Sequence, residues 1–185
     1  MDQLNYLESV RKQFLYYKTI AERAMAQLND AELCWQYNEE SNSIANIVKH
    51  LRGNMLSRWT DFMTTDGEKP WRERDAEFEN DQPDRATIMA WWEAGWQCLF
   101  DALDSLTAAD LGKIIYIRNE GHTVLEAINR QLAHYPYHVG QIVYLAKMAQ
   151  NDRWQTLSIA RNRSNAFNAE KFAKAPERKH FTDET

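Results

Sequence analysis

The chain has few of the residues that stabilise a protein by covalent cross-links. Among its 185 residues are two cysteines, Cys34 and Cys98, which form no C-x-x-C pair, so neither a disulfide framework nor a cysteine-ligated metal site is expected. No stretch approaches the roughly 18 uninterrupted apolar residues of a membrane span, and polar residues occur from the N-terminus onward. We therefore expect no signal peptide, no membrane association and a cytoplasmic location.

The chain also lacks an excess of positive charge, since 22 Lys and Arg residues stand against 27 Asp and Glu residues and the formal net charge is -5. This balance gives no basic surface of the kind that binds nucleic acid, and no nucleic-acid partner is expected. The sequence has no glycine-rich phosphate loop, no Ser-His-Asp order and no H-E-x-x-H motif. Apolar residues make up 44% and aromatic residues 12%, which is typical of a packed globule of one domain. We expect that domain to span residues 1–167, followed by a partly frayed tail, 168–185.

Four segments have apolar residues spaced alternately three and four apart, the period of a helix that buries one face. They cover about residues 4–28, 43–63, 85–106 and 123–150, and the last begins at a capping box, Thr123-x-x-Glu126. Residues 113–119, KIIYIRN, predict one short extended piece. The pattern favours an all-α protein, a four-helix bundle.

The segment 64–84, between the second and third helices, is longer than a simple helix connection requires. A segment of this length can cross the bundle and let the second and third helices run parallel. Its aromatic residues, Trp71 and Phe78, indicate that it packs as a lid or wall, and core packing is the favoured role for Trp71.

Two histidines, His134 and His138, lie one turn apart on a shoulder of the fourth helix's apolar stripe, and His50 lies on a shoulder of the second helix. Imidazoles at i and i+4 can bind one ion, and a third would leave coordination positions open for water or substrate. The spacing alone more often reflects histidines at the edge of a core. Pro136, between the pair, is either a tolerated irregularity or a kink that adjusts how the imidazoles converge.

The residues SIANIVKHLRGNMLSRW (43–59) and TVLEAINRQLAHYPYHVGQIVYLAK (123–147), with the ending H-x-x-x-H-x-G-Q-I, resemble the DinB superfamily, most closely its YfiT-like branch. The resemblance implies a bundle of up-down-down-up topology with a long crossover loop, frequently dimeric. It also implies that His50, His134 and His138 bind nickel, zinc or a similar divalent ion. Some relatives are transferases or isomerases that use thiols such as bacillithiol, mycothiol or glutathione, and others have no established activity.

Two functions follow as hypotheses. The first is a metal-dependent enzyme, a thiol S-transferase or a hydrolase, in which the ion lowers the pKa of a low-molecular-weight thiol or of water and a small electrophile is the substrate. The second is a noncatalytic metal-binding protein of stress response or sensing. A structural metal is less favoured, because structural zinc usually has four protein ligands. A homodimer is expected from the resemblance.

Three further residues are candidates for substrate binding. Gln141 and Asn54 offer neutral hydrogen-bonding groups beside the histidines. Arg161 could hold a substrate carboxylate, because a guanidinium pairs with it bidentately, although a solvated arginine is the commoner case.

Overall fold

The four segments with helical periodicity form the four long helices of the structure, a computed structural model that describes residues 3–183. The α-helices are α1 (Gln3–Met25), α2 (Asp30–Leu33), α3 (Ile44–Trp59), α4 (Arg85–Asp104), α5 (Val124–Gln150) and α6 (Ser164–Phe172). Short 3-10 helices cover Asp75–Phe78, Ala108–Asp110 and Asn151–Arg153. Within the described part of the chain, no helix combines the length and the apolar composition that crossing a membrane requires. The protein is mostly helical, as an all-α bundle requires.

The ends of the long helices are set by local side-chain chemistry. The capping box predicted at the start of α5 is confirmed: Thr123 Oγ1 accepts from the backbone N–H of Glu126 (3.1 Å), and Glu126 Oε2 accepts from that of Thr123 (2.8 Å). Helix α3 ends at Trp59, four residues before the predicted end. The chain leaves the helix there because Thr60 is extended and Asp61 has a positive φ of 48°.

The core between the helices is centred on large aromatic side chains. Phe14 of α1, Trp96 of α4 and Tyr135 of α5 have ring centroids 5.7–6.3 Å apart and are fully buried. The Tyr135 hydroxyl accepts a hydrogen bond from Trp59 Nε1 (3.0 Å) and donates to Asn54 Oδ1 (3.1 Å). These bonds fix α5 against α3, the two helices that carry the three predicted ligands.

Contacts between α3 and α4 advance in the same direction along both helices. Lys49 lies over the ring of Trp91, Gly95 lies against Met55, and further along Cys98 Sγ is 3.6 Å from a hydroxyl of α3's C-cap residue. The connection between them, residues 64–84, therefore returns from the end of α3 to a position near its beginning.

A β-hairpin anchors the beginning of that connection. Strands β1 (Ile114–Ile117) and β2 (Glu120–Thr123) pair antiparallel; β1 was predicted as an extended piece and β2 was not. Arg118 and Asn119 at the turn have φ of 56° and 62°, the conformation of a type I′ turn. The Asp66 carboxylate accepts from the backbone N–H groups of Arg118 (2.9 Å), Asn119 (2.8 Å) and Glu68 (2.7 Å). This carboxylate ties the loop to the hairpin.

Within the connection, the two aromatic residues have different surroundings. Phe78 packs as a wall, with its ring stacked on that of His50 (centroids 5.2 Å apart). Trp71 is 53% exposed, so the prediction that it packs in the core is wrong. The inward position at this point of the loop is taken by Arg72, whose side chain is 2% exposed because it pairs with buried Glu77.

Candidate metal centre

The structure brings His50 of α3 together with His134 and His138 of α5, each with a nitrogen that could hold one ion. His134 Nε2 is 3.4 Å from His50 Nε2 and 3.1 Å from His138 Nε2. Two imidazole nitrogens bound tetrahedrally to zinc at 2.0–2.1 Å would lie roughly 3.3 Å apart. These two separations suit a single divalent ion, and the candidate ligand atoms of all three histidines lie within 4.8 Å of one another.

The other ring nitrogen of each histidine is hydrogen-bonded to a side-chain oxygen. The Nδ1 pairs are His50 with Glu77 (2.9 Å), His134 with Gln131 (3.2 Å) and His138 with Gln141 (2.7 Å). Because these oxygens accept, each Nδ1 donates, and a neutral imidazole protonated at Nδ1 keeps its lone pair on Nε2. Each of the three histidines thus has an Nε2 lone pair available to a metal ion. Metal-bound histidines are commonly held in this way by an outer carboxylate or carbonyl.

Burial keeps the α5 histidines neutral. Burial, together with the neighbouring imidazoles of His138 and His50, lowers the pKa of His134 to about 3. Burial also lowers the pKa of His138, and its bond to Gln141 opposes this only in part. Neutral imidazole is the form that binds a metal ion, so these ligands need not lose a proton at neutral pH.

Glu77, which orients His50, is itself held by an ion pair. It is 5% exposed, and its two oxygens accept from Arg72 Nε (2.7 Å) and Nη2 (2.9 Å). Burial opposes ionisation of Glu77, but the hydrogen bonds from His50 and Arg72 outweigh it and lower its pKa below the usual value. Sequence reasoning missed this pair. The loop has acidic residues at 66, 68, 73, 75, 77, 79, 81 and 84, and no spacing rule distinguishes one of them.

Pro136 lies in the turn of α5 between His134 and His138. It has no N–H to donate to the carbonyl of Leu132, yet α5 is continuous from Val124 to Gln150. The rings of His134 and His138 have centroids 4.7 Å apart and planes at 76°. The ligand pair thus converges within an uninterrupted helix.

A cavity of about 390 Å³ lies beside the histidines. Phe78 forms part of its wall, Tyr137 its rim, and five arginines contribute to its lining: Arg58, Arg72, Arg74, Arg118 and Arg130. A larger, open groove of about 720 Å³ lies on the other side of Tyr137 and is lined by aromatic and apolar residues such as Tyr37, Tyr144 and Met148. Tyr137 borders both spaces.

The other predicted site residues have different positions. Asn54 lines the cavity, but its side-chain oxygen accepts a hydrogen bond from the Tyr135 hydroxyl. The side-chain oxygen of Gln141 is hydrogen-bonded to His138 Nδ1. Both residues therefore help to orient other side chains of the site. Arg161 is exposed in the turn before α6 and does not line the cavity. The two cysteines and the remaining histidines of the described chain, Cys34, Cys98, His122 and His180, do not join the cluster.

The chain matches a known protein family. A family model described as "Protein of unknown function (DUF1572)" matches residues 2–163. The match includes the four long helices, the loop, the hairpin and all three clustered histidines, and it ends just before α6. No curated protein matches the chain.

Proposed function

The chain belongs to the DUF1572 family of proteins of unknown function, and on that premise we propose that it is a divalent-metal-dependent enzyme that transfers a low-molecular-weight thiol to a small electrophile. The observation that carries the proposal is the convergence of three Nε2 atoms whose Nδ1 partners are already in place. Three protein ligands leave coordination positions open, as in catalytic rather than structural zinc sites. Nickel and zinc are the proposed ions, since imidazole nitrogen suits both.

The residues around the cluster support a catalytic role. A divalent ion held by the histidines would lower the pKa of a bound thiol, which is about 8.5 when free, and so make it nucleophilic at neutral pH. Glu77 fixes the ring of His50, and Gln131 fixes that of His134. The electrophile would approach from the apolar groove beyond Tyr137, whose hydroxyl accepts a hydrogen bond from Gln141 (3.2 Å).

Membership of the DinB superfamily and its up-down-down-up helix order belong to the same proposal. The matching direction of the α3–α4 contacts supports that order. So does the reversed order of contacts between α1 and α4, in which Arg11 pairs with Asp104 while Lys18 pairs with Glu93. The homodimer, the cytoplasmic location and the domain boundary at residue 167 stay predictions.

The alternative is a noncatalytic metal-binding protein of stress response or sensing. One observation favours it: among the described residues that line the cavity, none is an aspartate or glutamate, so no carboxylate is placed to act as a general base on a substrate. In this alternative, the coordination positions that the three histidines leave open on the ion only exchange ligands and support no reaction.

Metal analysis followed by a thiol assay tests the proposal. Purified protein should bind one divalent ion per chain, and His134→Ala should lose it, whereas the matched variant His122→Ala, on β2 outside the cluster, should retain it. Metal-loaded wild type should consume bacillithiol, glutathione or mycothiol with at least one member of an electrophile panel. Unchanged metal content in His134→Ala would refute the site, and loaded protein that consumes none of the thiols would favour the noncatalytic alternative.

A further inference from the structure

The lining of the cavity is strongly basic although the chain as a whole is acidic. Its five arginines come from four separate parts of the fold: Arg58 from α3, Arg72 and Arg74 from the 64–84 loop, Arg118 from the hairpin turn and Arg130 from α5. A single basic helix face would be unremarkable. Convergence from four elements in a chain of net charge -5 concentrates positive charge at one place in the molecule.

Carboxylates of the described residues compensate only part of this charge. Arg72 pairs with Glu77, and Arg58 and Arg118 share Glu68, with nitrogen–oxygen distances of 3.3 and 3.0 Å. Two carboxylates therefore form the ion pairs of three arginines, and they compensate two of the three positive charges.

The other two arginines, Arg74 and Arg130, form no ion pair with a carboxylate of residues 3–183. Their guanidinium groups remain free to bind an anion from solution.

The two free arginines lie on different walls next to the histidines. The guanidinium carbon of Arg74 is 5.3 Å from the centroid of the Phe78 ring, and that ring stacks on His50. Arg130 is four residues before His134 on α5, so the two side chains share a face of the helix. One free cation thus stands near each of the two helices that supply ligands.

We propose that this cavity binds a small molecule with two acidic groups, carboxylate or phosphate, that Arg74 and Arg130 hold beside the histidine cluster. A guanidinium presents two parallel N–H donors to such a group, and two unpaired guanidiniums match two acidic groups. The uncompensated charge of the lining favours an anion over a neutral ligand of the same shape. The inference rests on the proposed function and defines the charge class of its substrate.

Calorimetric titration of zinc-loaded protein with three ligands of the same length tests the number of charges. These are succinate, its monoamide and its diamide, with two, one and no carboxylates. Affinity should fall in that order, and added sodium chloride should weaken the binding of succinate most, because salt screens charge pairs. Glycerol 1,3-bisphosphate, which also has two acidic groups, against glycerol forms the second arm, and the tighter of the two anions identifies the acidic group.

Matched variants assign the effect to the two arginines. Arg74→Gln and Arg130→Gln should each weaken binding of the preferred anion about 10-fold, the effect of losing one charge-assisted hydrogen bond. Arg163→Gln, at an exposed position outside the cavity, should leave it unchanged.

Three results would overturn the inference: succinamide binding as tightly as succinate, no binding of either anion at millimolar concentration, or unchanged affinity in both arginine variants. The metal content and thiol consumption of the same preparations are measured separately. Failure of the wild type to bind metal or to consume thiol would refute the proposed function. Titrations of the metal-free protein would still decide whether the arginines bind an anion.

Discussion

Gly53 and Glu77 are in such close contact that no other residue fits at position 53 without moving the carboxylate. A Cβ at position 53 would lie 2.8 Å from Cδ of Glu77 and closer still to its Oε1. Gly53 is three residues after His50 on α3, so the missing side chain leaves room for the carboxylate to reach the Nδ1 of that histidine.

Replacing Gly53 with alanine should therefore weaken metal binding. The new methyl group would displace Glu77 from His50, and loss of such an outer partner typically lowers metal affinity 10–100-fold. Competition with a chromogenic chelator measures this change. Gly140→Ala is the control, because its Cβ on α5 would meet nothing within 4 Å. The intrinsic helix propensity gained on replacing glycine by alanine, about 0.5–1 kcal/mol, is the same in both variants. Equal metal affinities in the two would therefore contradict the prediction.

Glu77→Gln should weaken metal binding by a similar factor and also destabilise the fold. The amide cannot accept from His50 and Arg72 with both of its polar atoms, and the buried Arg72 loses its counter-charge. We expect the free energy of unfolding of the metal-free protein to fall by roughly 1–3 kcal/mol, as measured by urea denaturation. Glu73→Gln, at an exposed position in the same loop, should change neither quantity. Wild-type metal affinity in Glu77→Gln would show that the hydrogen bond to His50 does not tune the site.

Asp66→Asn should loosen the attachment of the loop to the hairpin. Three backbone N–H groups donate hydrogen bonds to the Asp66 carboxylate, and the single oxygen of an asparagine amide cannot accept all three. The free energy of unfolding should therefore fall by about 1–2 kcal/mol. Urea denaturation at neutral pH measures the loss, and Asp152→Asn, an exposed aspartate after α5, is the control. Equal stability of wild type and Asp66→Asn would contradict the structural role of this carboxylate.

The effect of Asp66→Asn should depend on pH in a defined direction. Burial opposes ionisation of Asp66, but backbone hydrogen bonds from Asn119, Glu68 and Arg118 outweigh it and lower its pKa below 3.8. The stability that the carboxylate adds is thus fully present above the pKa of the unfolded state and is lost as the pH falls through the lower pKa of the folded state. The difference between wild type and variant should be constant at neutral and mildly acidic pH and shrink below about pH 4. A difference that grows on acidification would contradict this.

Arg161→Gln should not change the binding of anions to the cavity. Arg161 was predicted from the sequence as a candidate to bind a substrate carboxylate, but the residue is exposed and does not line the cavity beside the histidines. Titration with succinate should give the affinity of wild type. A loss as large as that in Arg130→Gln would restore the interpretation made from the sequence.

The features that sequence reasoning predicted best are local ones. Helical periodicity depends on neighbours three and four residues apart, so the long helices were found with errors of a few residues at their ends. The capping box at Thr123 and the His134–His138 pair are likewise properties of a single turn. His50 could be grouped with that pair only through its shoulder position on the second helix and the family resemblance, because nothing local links residues in different helices.

The features that were missed depend on the path of a segment without periodicity. The roles of Glu77 and Arg72 follow from where the 64–84 loop passes over α3, and that path is set by distant contacts such as Asp66 with the hairpin turn. Strand β2 was missed for a related reason. Its sequence, EGHT, has no alternation of apolar residues, and it becomes a strand only by pairing with β1.

The three clustered histidines and one wall of the cavity come from separate parts of the chain. The histidines lie on helices that are held together through Tyr135 in the core, whereas Arg72, Arg74, Glu77 and Phe78 all come from the one loop. Substitutions at exposed loop positions such as Arg74 can therefore change the cavity at little cost to the packing of the bundle. Two proteins of this family could share the three-histidine cluster and differ in this one segment, and exchanging it between them would change the Arg74 side of the cavity while leaving Arg130 in place.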